Sequence, residues 1–261
     1  MATRPRIAIH KFSSCDGCQL AFLNLGETLL QLAQLVDIVH FAEAGPVAPD
    51  APVDIAFVEG SIATAHDRDR LQALRARCGK LVTIGACATA GGVQALRSLA
   101  DVGRWAADVY ASPEYIDALA DSTPIAQHVK VDLELWGCPV NGRQVLGALR
   151  ALLSGFMPAE DEDKVCLECK RRQNVCVMVA SDLPCMGPVT RTGCGALCPS
   201  FGRDCYGCYG PAENPNTEAL SRRLNGIGLL PAQAARRYLF ITNGAQAFRA
   251  AGTAATEGGN G

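Results

Sequence analysis

The sequence predicts a doubly wound, parallel α/β domain followed by a small, irregular cysteine-rich domain, and three observations predict it. Over the first 157 residues, apolar runs too continuous for a sheet with one wet face alternate with helical patterns. At about residue 158 that periodicity stops and Cys, Gly and Pro take over. Of the 13 cysteines, five (15, 18, 78, 87 and 138) are scattered through the first part, whereas eight crowd into the 43 residues from 166 to 208. A chain of 261 residues suffices for one or two domains with a core of their own.

Strands are expected at 6–12, 36–41, 53–58, 81–84 and 131–136, each short and rich in Val, Ile, Leu or Phe. Helices are expected at 19–35, with Leu20, Leu23 and Leu30 sharing a face, at 67–77, with its charges outward, and at 141–153. Five such units in alternation give a flavodoxin-like sheet for a domain at 1–157. The segment 158–215 has too few large apolar residues to organise itself, and metal ligation is the natural substitute, because binding free energy then becomes folding free energy. From 216 to 249 a helix capped by Asn216 or Thr217, with Glu218 in its first turn, precedes a short strand at 238–242. The small, Gly-rich end, 250–261, is expected to be disordered.

Composition excludes several functions. A formal charge of −2 and a pI near 6.1 supply no basic field to hold a nucleic-acid backbone. The longest apolar stretches fall far short of the ~20 residues that span a bilayer, and the amino end runs directly into a strand without the apolar segment of an export signal. A cytoplasmic protein is therefore expected. In that reducing compartment 13 cysteines read as metal ligands rather than disulfides.

Four of the first five cysteines share one expected location. Cys15 and Cys18 (SSCDGC) follow the first strand, Cys87 (IGACATAGG) the fourth and Cys138 (WGCPVNG) the fifth. Ligands of open α/β sheets bind outside the carboxyl ends of the strands, where strand order reverses, so these thiols should converge. Cys18, near a helix start, should gain from amide groups and helix dipole that favour a thiolate. Gly17, Gly85, Gly91, Gly92 and Gly137 leave room for a bulky inorganic group. Four thiolates suit zinc and an iron–sulfur cluster alike; one Cys-x-x-Cys pair completed by two distant single cysteines leans toward the cluster. Cys78, with no partner at ligand spacing, reads as an ordinary buried thiol. Histidines 10, 40, 66 and 128 fall in no ligand pattern, and IGACATAGG lacks the glycine order and the lysine of nucleotide loops. Glu59, closing the third strand, reads either as loop structure or as a group at a partner interface.

The stretches SSCDGC, VEGSI (58–62), IGACATAGG and WGCPVNG, in this order and at these intervals, resemble the small, electron-transferring subunit of nickel–iron hydrogenases. The amino-terminal part is also similar to the cluster-bearing subunit of respiratory NADH:quinone oxidoreductase. The resemblance covers the chain to about residue 210. It implies a proximal [4Fe-4S] cluster on Cys15, Cys18, Cys87 and Cys138, beside a nickel–iron centre on a separate large subunit. The eight later cysteines (CLECKRRQNVC, DLPCMGPVTRTGC, GALCPSFGRDCYGC) make two sets of four, and spacing alone leaves their pairing open. The resemblance favours a distal [4Fe-4S] cluster on Cys166, Cys169, Cys176 and Cys185 and a medial one on Cys194, Cys198, Cys205 and Cys208. Family members often have His and Pro where this chain has Cys166 and Cys198, and Pro where it has Val140. The basic run 170–172 lies near the acidic run 160–163, and both read as solvated surface. The expected role is a relay of single electrons between the large subunit and a diaphorase with flavin and NAD(P), together with further iron–sulfur subunits, as in the soluble, delta-type group. A heterodisulfide-reductase or deazaflavin-reducing partner, or a zinc-binding interaction module, are the alternatives.

Overall fold

Five strands, β1 (Arg6–Lys11), β2 (Asp37–Phe41), β3 (Val53–Glu59), β4 (Cys78–Ile84) and β5 (Leu133–Leu135), pair in parallel in the order β2-β1-β3-β4-β5. This computed structural model describes residues 4–45, 47–159 and 163–257. The chain divides into two units, Met1–Pro158 and Ala159–Gly261. In the first unit the helices are α1 (Gly17–Leu23), α2 (Glu27–Leu35), α3 (Ala65–Arg77), α4 (Gly85–Ala90), α5 (Val102–Val109) and α6 (Gly142–Leu153).

Side chains alternate across a strand, and here both sides are apolar. Ile7, Ile9, Ile55, Phe57, Val82 and Ile84 bury against Phe22, Leu32, Val145 and Leu149 of α1, α2 and α6. Ala8, Ala56, Val58 and Leu81 bury against Leu71 and Leu74 of α3. Asn141 caps α6 by accepting from Arg143 N (2.9 Å), and Thr64 caps α3 by accepting from Asp67 N (3.1 Å).

The expected helix at 19–35 is two helices. Asn24 and Leu25 leave the helix, and Gly26 takes a left-handed φ of +56° before α2 begins. The break resets the helical phase. Phe22 and Leu32 face the core, while Leu20 and Leu30, expected on that face, are 49% and 68% exposed.

In the second unit the helices are α7 (Val165–Arg171), α8 (Val177–Ala180), α9 (Leu197–Ser200), α10 (Thr217–Gly226), α11 (Pro231–Tyr238) and α12 (Gln246–Glu257). Asn216 caps α10, accepting from Ala219 N at 3.0 Å. Two expectations fail here. The apolar run 238–242 is no strand, because Tyr238 ends α11 and is buried with Phe248, ring centroids 5.8 Å apart. Nor are residues 250–257 disordered: they continue α12, where alanines favour helix and where a Cβ at Gly252 would overlap Leu239. The small residues permit close packing of α12 on α11. Residues 258–261 of the expected tail, and 160–162 of the acidic run, lie outside the described residues.

On β1 and β2, His10 and His40 stack with ring centroids 4.5 Å apart, each 7% exposed. Burial first, then the charges of His40, Arg70 and Arg77, hold the His10 pKa down at about 3, with Asp50 opposing. As pH falls below the ordinary 6.5, the unfolded chain takes up a proton that the folded chain refuses, so stability is lost between about 6.5 and about 3. In urea denaturation, the native chain should lose ~1.4 kcal/mol per pH unit below 6.5 relative to the His10→Leu variant. Equal slopes for the two chains would contradict this account.

Candidate metal centres

The carboxyl edge of the sheet, where strand order reverses between β1 and β3, gathers four of the first five cysteines, Cys15, Cys18, Cys87 and Cys138. Cys15 lies in the loop after β1, Cys18 in the first turn of α1, Cys87 in α4 directly after β4, and Cys138 in the turn that follows β5. Cys18 is buried, Cys87 half-buried, and Cys15 and Cys138 exposed. The thiols feel one another. Burial pushes Cys87 up to about 12, and Cys138, Cys15 and Glu59 add to the shift. Burial likewise raises Cys138, helped by Cys15 and Glu59. Val140 N donates to Cys18 Sγ at 3.5 Å, and Cys87 Sγ donates to Gln94 Oε1 at 3.1 Å.

Two glycines make this closeness possible. Gly85 (φ +86°) lies so near that a Cβ there would overlap Cys18 Sγ, and a Cβ at Gly92 (φ +63°) would stand 2.6 Å from Cys87 Sγ. Both φ values belong to the left-handed region that favours glycine.

Glu59 is neither loop nor surface. It is 2% exposed and accepts from Cys18 N (3.1 Å) and Gln19 N (3.0 Å) at the start of α1. The amide groups expected to favour a Cys18 thiolate are therefore taken by a carboxylate. Burial, then Glu59, push the Cys18 thiol up instead, and desolvation raises Glu59 itself.

The next four cysteines of the chain enclose a cavity of about 120 Å³, lined by Cys166, Cys169, Cys176 and Cys185 with Val177, Met178 and Gly187. Cys166 and Cys169 lie on α7, Cys176 caps α8, and Cys185 follows in a loop. Burial pushes Cys166 up to about 11, with Cys185, Cys169 and Cys176 contributing. A Cβ at Gly187 would reach Cys185 Sγ at 3.3 Å and Cys166 Sγ at 3.6 Å. Cys205 N donates to Cys185 Sγ at 3.3 Å, and Asn174 Nδ2 donates to Cys169 Sγ at 3.9 Å.

The last four form two neighbouring pairs. Glu168 and then Cys198 add to the rise that burial causes at Cys194, and Cys185, of the preceding set, and then Cys208 add to that of the buried Cys205. Gly207 N donates to Cys205 Sγ at 3.5 Å. Cys78 stands apart from all three sets, half-buried with Arg75 Nη1 3.1 Å from its Sγ. His66 is exposed, and His128 Nε2 bonds Thr123 Oγ1 at 2.7 Å.

Helices α10 to α12 provide the core that the cysteine loops lack: Leu220, Leu224, Tyr238 and Phe248 bury with Met186, Val189 and Cys205. Arg237 donates to Pro184 O (2.6 Å) and Cys205 O (3.1 Å) and pairs with Asp204; Thr242 Oγ1 donates to Gly207 O (3.0 Å). Glu59, Gln94 and Glu168 were not assigned such roles from the sequence. Only the position of Glu59 at a strand end beside the reversal point signalled its own.

The donor chemistry suits a positively charged, thiophilic inorganic group. Thiols raised by burial and by one another, with amides aimed at their sulfurs, are stabilised as thiolates by metal charge. Among the described residues, no three Cys, His, Asp or Glu side chains stand close enough to hold a single ion.

Comparison with known proteins places the chain in a family. The family model described as NADH ubiquinone oxidoreductase, 20 Kd subunit, matches residues 15–152. The sulfhydrogenase 2 subunit delta of Pyrococcus furiosus is 33% identical over 85% of this chain and 93% of its own length. A vhu subunit of the F420-non-reducing hydrogenase of Methanococcus voltae is 29% identical over 82% of this chain and 84% of its own. A solved structure of an NAD+-reducing [NiFe]-hydrogenase in the H2-reduced state, 29% identical, superposes with a TM-score of 0.55 over 60% of this chain and 94% of that one. The chain belongs to the family of the NADH ubiquinone oxidoreductase, 20 Kd subunit, on the side of that family where the relatives are hydrogenase subunits. No described helix is long and apolar enough to cross a membrane.

Gly85→Ala should displace Cys18. The variant is expected to hold less iron than the native chain and to lose ~1–2 kcal/mol of stability from left-handed strain. Gly45→Ala, at φ +107° with nothing within 4 Å of the new Cβ, carries strain alone and should keep its iron. Anaerobic iron analysis and a thermal melt read both; full iron in Gly85→Ala would contradict the placement of Cys18.

Proposed function

We propose that this chain is the electron-transferring small subunit of a nickel–iron hydrogenase, with three [4Fe-4S] clusters held by twelve of its cysteines. The observation that carries the reading is the convergence of Cys15, Cys18, Cys87 and Cys138 at the reversal point of the sheet. These four hold the proximal cluster in the first unit; Cys194, Cys198, Cys205 and Cys208 hold the medial one and Cys166, Cys169, Cys176 and Cys185 the distal one in the second. Bound there, the clusters supply one-electron carriage between a large subunit, where H2 is split or formed, and an acceptor. The chain's own residues position the sulfurs, donate N–H bonds to them and exclude water from the buried ones, which together tune the potentials.

Zinc is the less favoured occupant of the first set, because one Cys-x-x-Cys pair is completed there by two distant single cysteines, each in a Gly-containing loop.

For the acceptor, a flavin-containing diaphorase that couples to NAD(P) is the first reading, supported by the likeness to an NAD+-reducing hydrogenase. One observation favours a second. That likeness covers 60% of this chain, whereas the sulfhydrogenase and F420-non-reducing relatives cover 85% and 82%. The second cysteine-rich unit therefore goes with relatives of the latter kind, and a heterodisulfide-reductase or other non-NAD partner fits it. The proposed site of action is the cytoplasm.

Anaerobically purified protein should be brown, hold about twelve iron and twelve sulfide per chain, and co-purify with a nickel-containing chain. Reduction of NAD(P) by H2 in that complex supports the diaphorase reading; H2 uptake with artificial dyes but not NAD(P) supports the second. Zinc in place of iron would contradict both.

A further inference from the structure

Between the second and third cysteine sets stands a carboxylate that belongs to neither. Glu168 lies within the Cys166-Leu167-Glu168-Cys169 turn on α7, yet its side chain points to the other set. Its Oε1 accepts from Gly193 N at 3.0 Å and its Oε2 from Ala196 N at 3.0 Å, close on either side of Cys194. Cys194 Sγ stands 3.9 Å from the same Oε2. A parallel tie runs from the other end of the motif, where Asn174 Nδ2 reaches Cys169 Sγ (3.9 Å) and Ser200 Oγ (3.1 Å), two residues past Cys198. The loop 193–196 has no regular structure to fix it, and Ala196 holds a left-handed φ of +51°. A strained loop of this kind persists where its surroundings over-determine it.

We propose that Glu168 is a positioning residue shared by two clusters: a strut from the distal ligand turn that fixes the loop of the medial ligand Cys194 and places a fixed negative charge beside that cluster. Two charge-assisted bonds give the strut its stiffness. A carboxylate near the sulfur opposes reduction, because adding an electron increases the negative charge it faces. Glu168 therefore keeps the medial potential lower than its thiolate ligands alone would set it. The inference rests on the three-cluster reading and adds a residue to it.

The test uses the full chain in its anaerobically purified complex. Glu168→Gln keeps one acceptor and the side-chain shape but removes the charge; Glu168→Ala removes both bonds. Redox titration followed by paramagnetic resonance should show the medial midpoint moved upward in Glu168→Gln, with the proximal and distal midpoints unmoved and iron at the native level. Glu168→Ala should lose about a third of the iron, the share of one cluster in three. If Glu168→Ala fails to fold, Glu168→Gln decides alone. Full iron in both variants with an unmoved medial midpoint overturns the strut and leaves the three-cluster reading intact. Native chain that itself holds iron for fewer than three clusters takes down the reading and the strut together.

Discussion

The crowding of sulfurs beside a buried carboxylate is the constraint on which this molecule turns. At the edge of the sheet, four thiols from three strand ends meet beside Glu59, a carboxylate that is itself buried. Taken alone, that grouping is unfavourable: burial and neighbouring negative charge oppose the thiolates of Cys18, Cys87 and Cys138. A positively charged inorganic core would reverse the balance by stabilising the thiolates. The parallel sheet supplies the geometry, since all its strands end on the same edge and its order reverses beside Cys15 and Glu59.

The second unit solves the same problem without a sheet. Its cysteine loops have little apolar material of their own, and helices α10 to α12 lend it. Arg237 ties α11 to the backbone of Pro184 and Cys205, beside Cys185 and within the cysteine loops, while Tyr238 and Phe248 bury in the same core. Electron relay of the kind proposed needs sulfurs held at fixed separations, and here helix packing and backbone hydrogen bonds serve that requirement.

The strand pattern and the cysteine positions were legible in the sequence because each depends on local features. Continuous apolar runs specify buried parallel strands, and a Cys directly after a strand falls on one edge of the sheet whatever the helices do. Where tertiary packing decides, the sequence was silent or misleading. The split of residues 19–35 turns on Gly26, whose left-handed conformation no periodicity announces. The order in 250–257 comes from Gly252 lying against Leu239, a contact between helices that composition alone reads as looseness. Glu59 and Glu168 escaped assignment for a related reason, since each carboxylate acts on backbone amides distant in sequence.

The most direct test is thiol accessibility. Cys15, Cys138 and Cys176 are exposed in the folded chain, so an alkylating reagent can reach all three when they are free thiols. Mass spectrometry of the anaerobic, iron-replete chain should find all three unmodified, and modified once a chelator has removed the iron. Their alkylation while the iron is still bound would mean that the metal sits elsewhere, and that these sulfurs do not hold it.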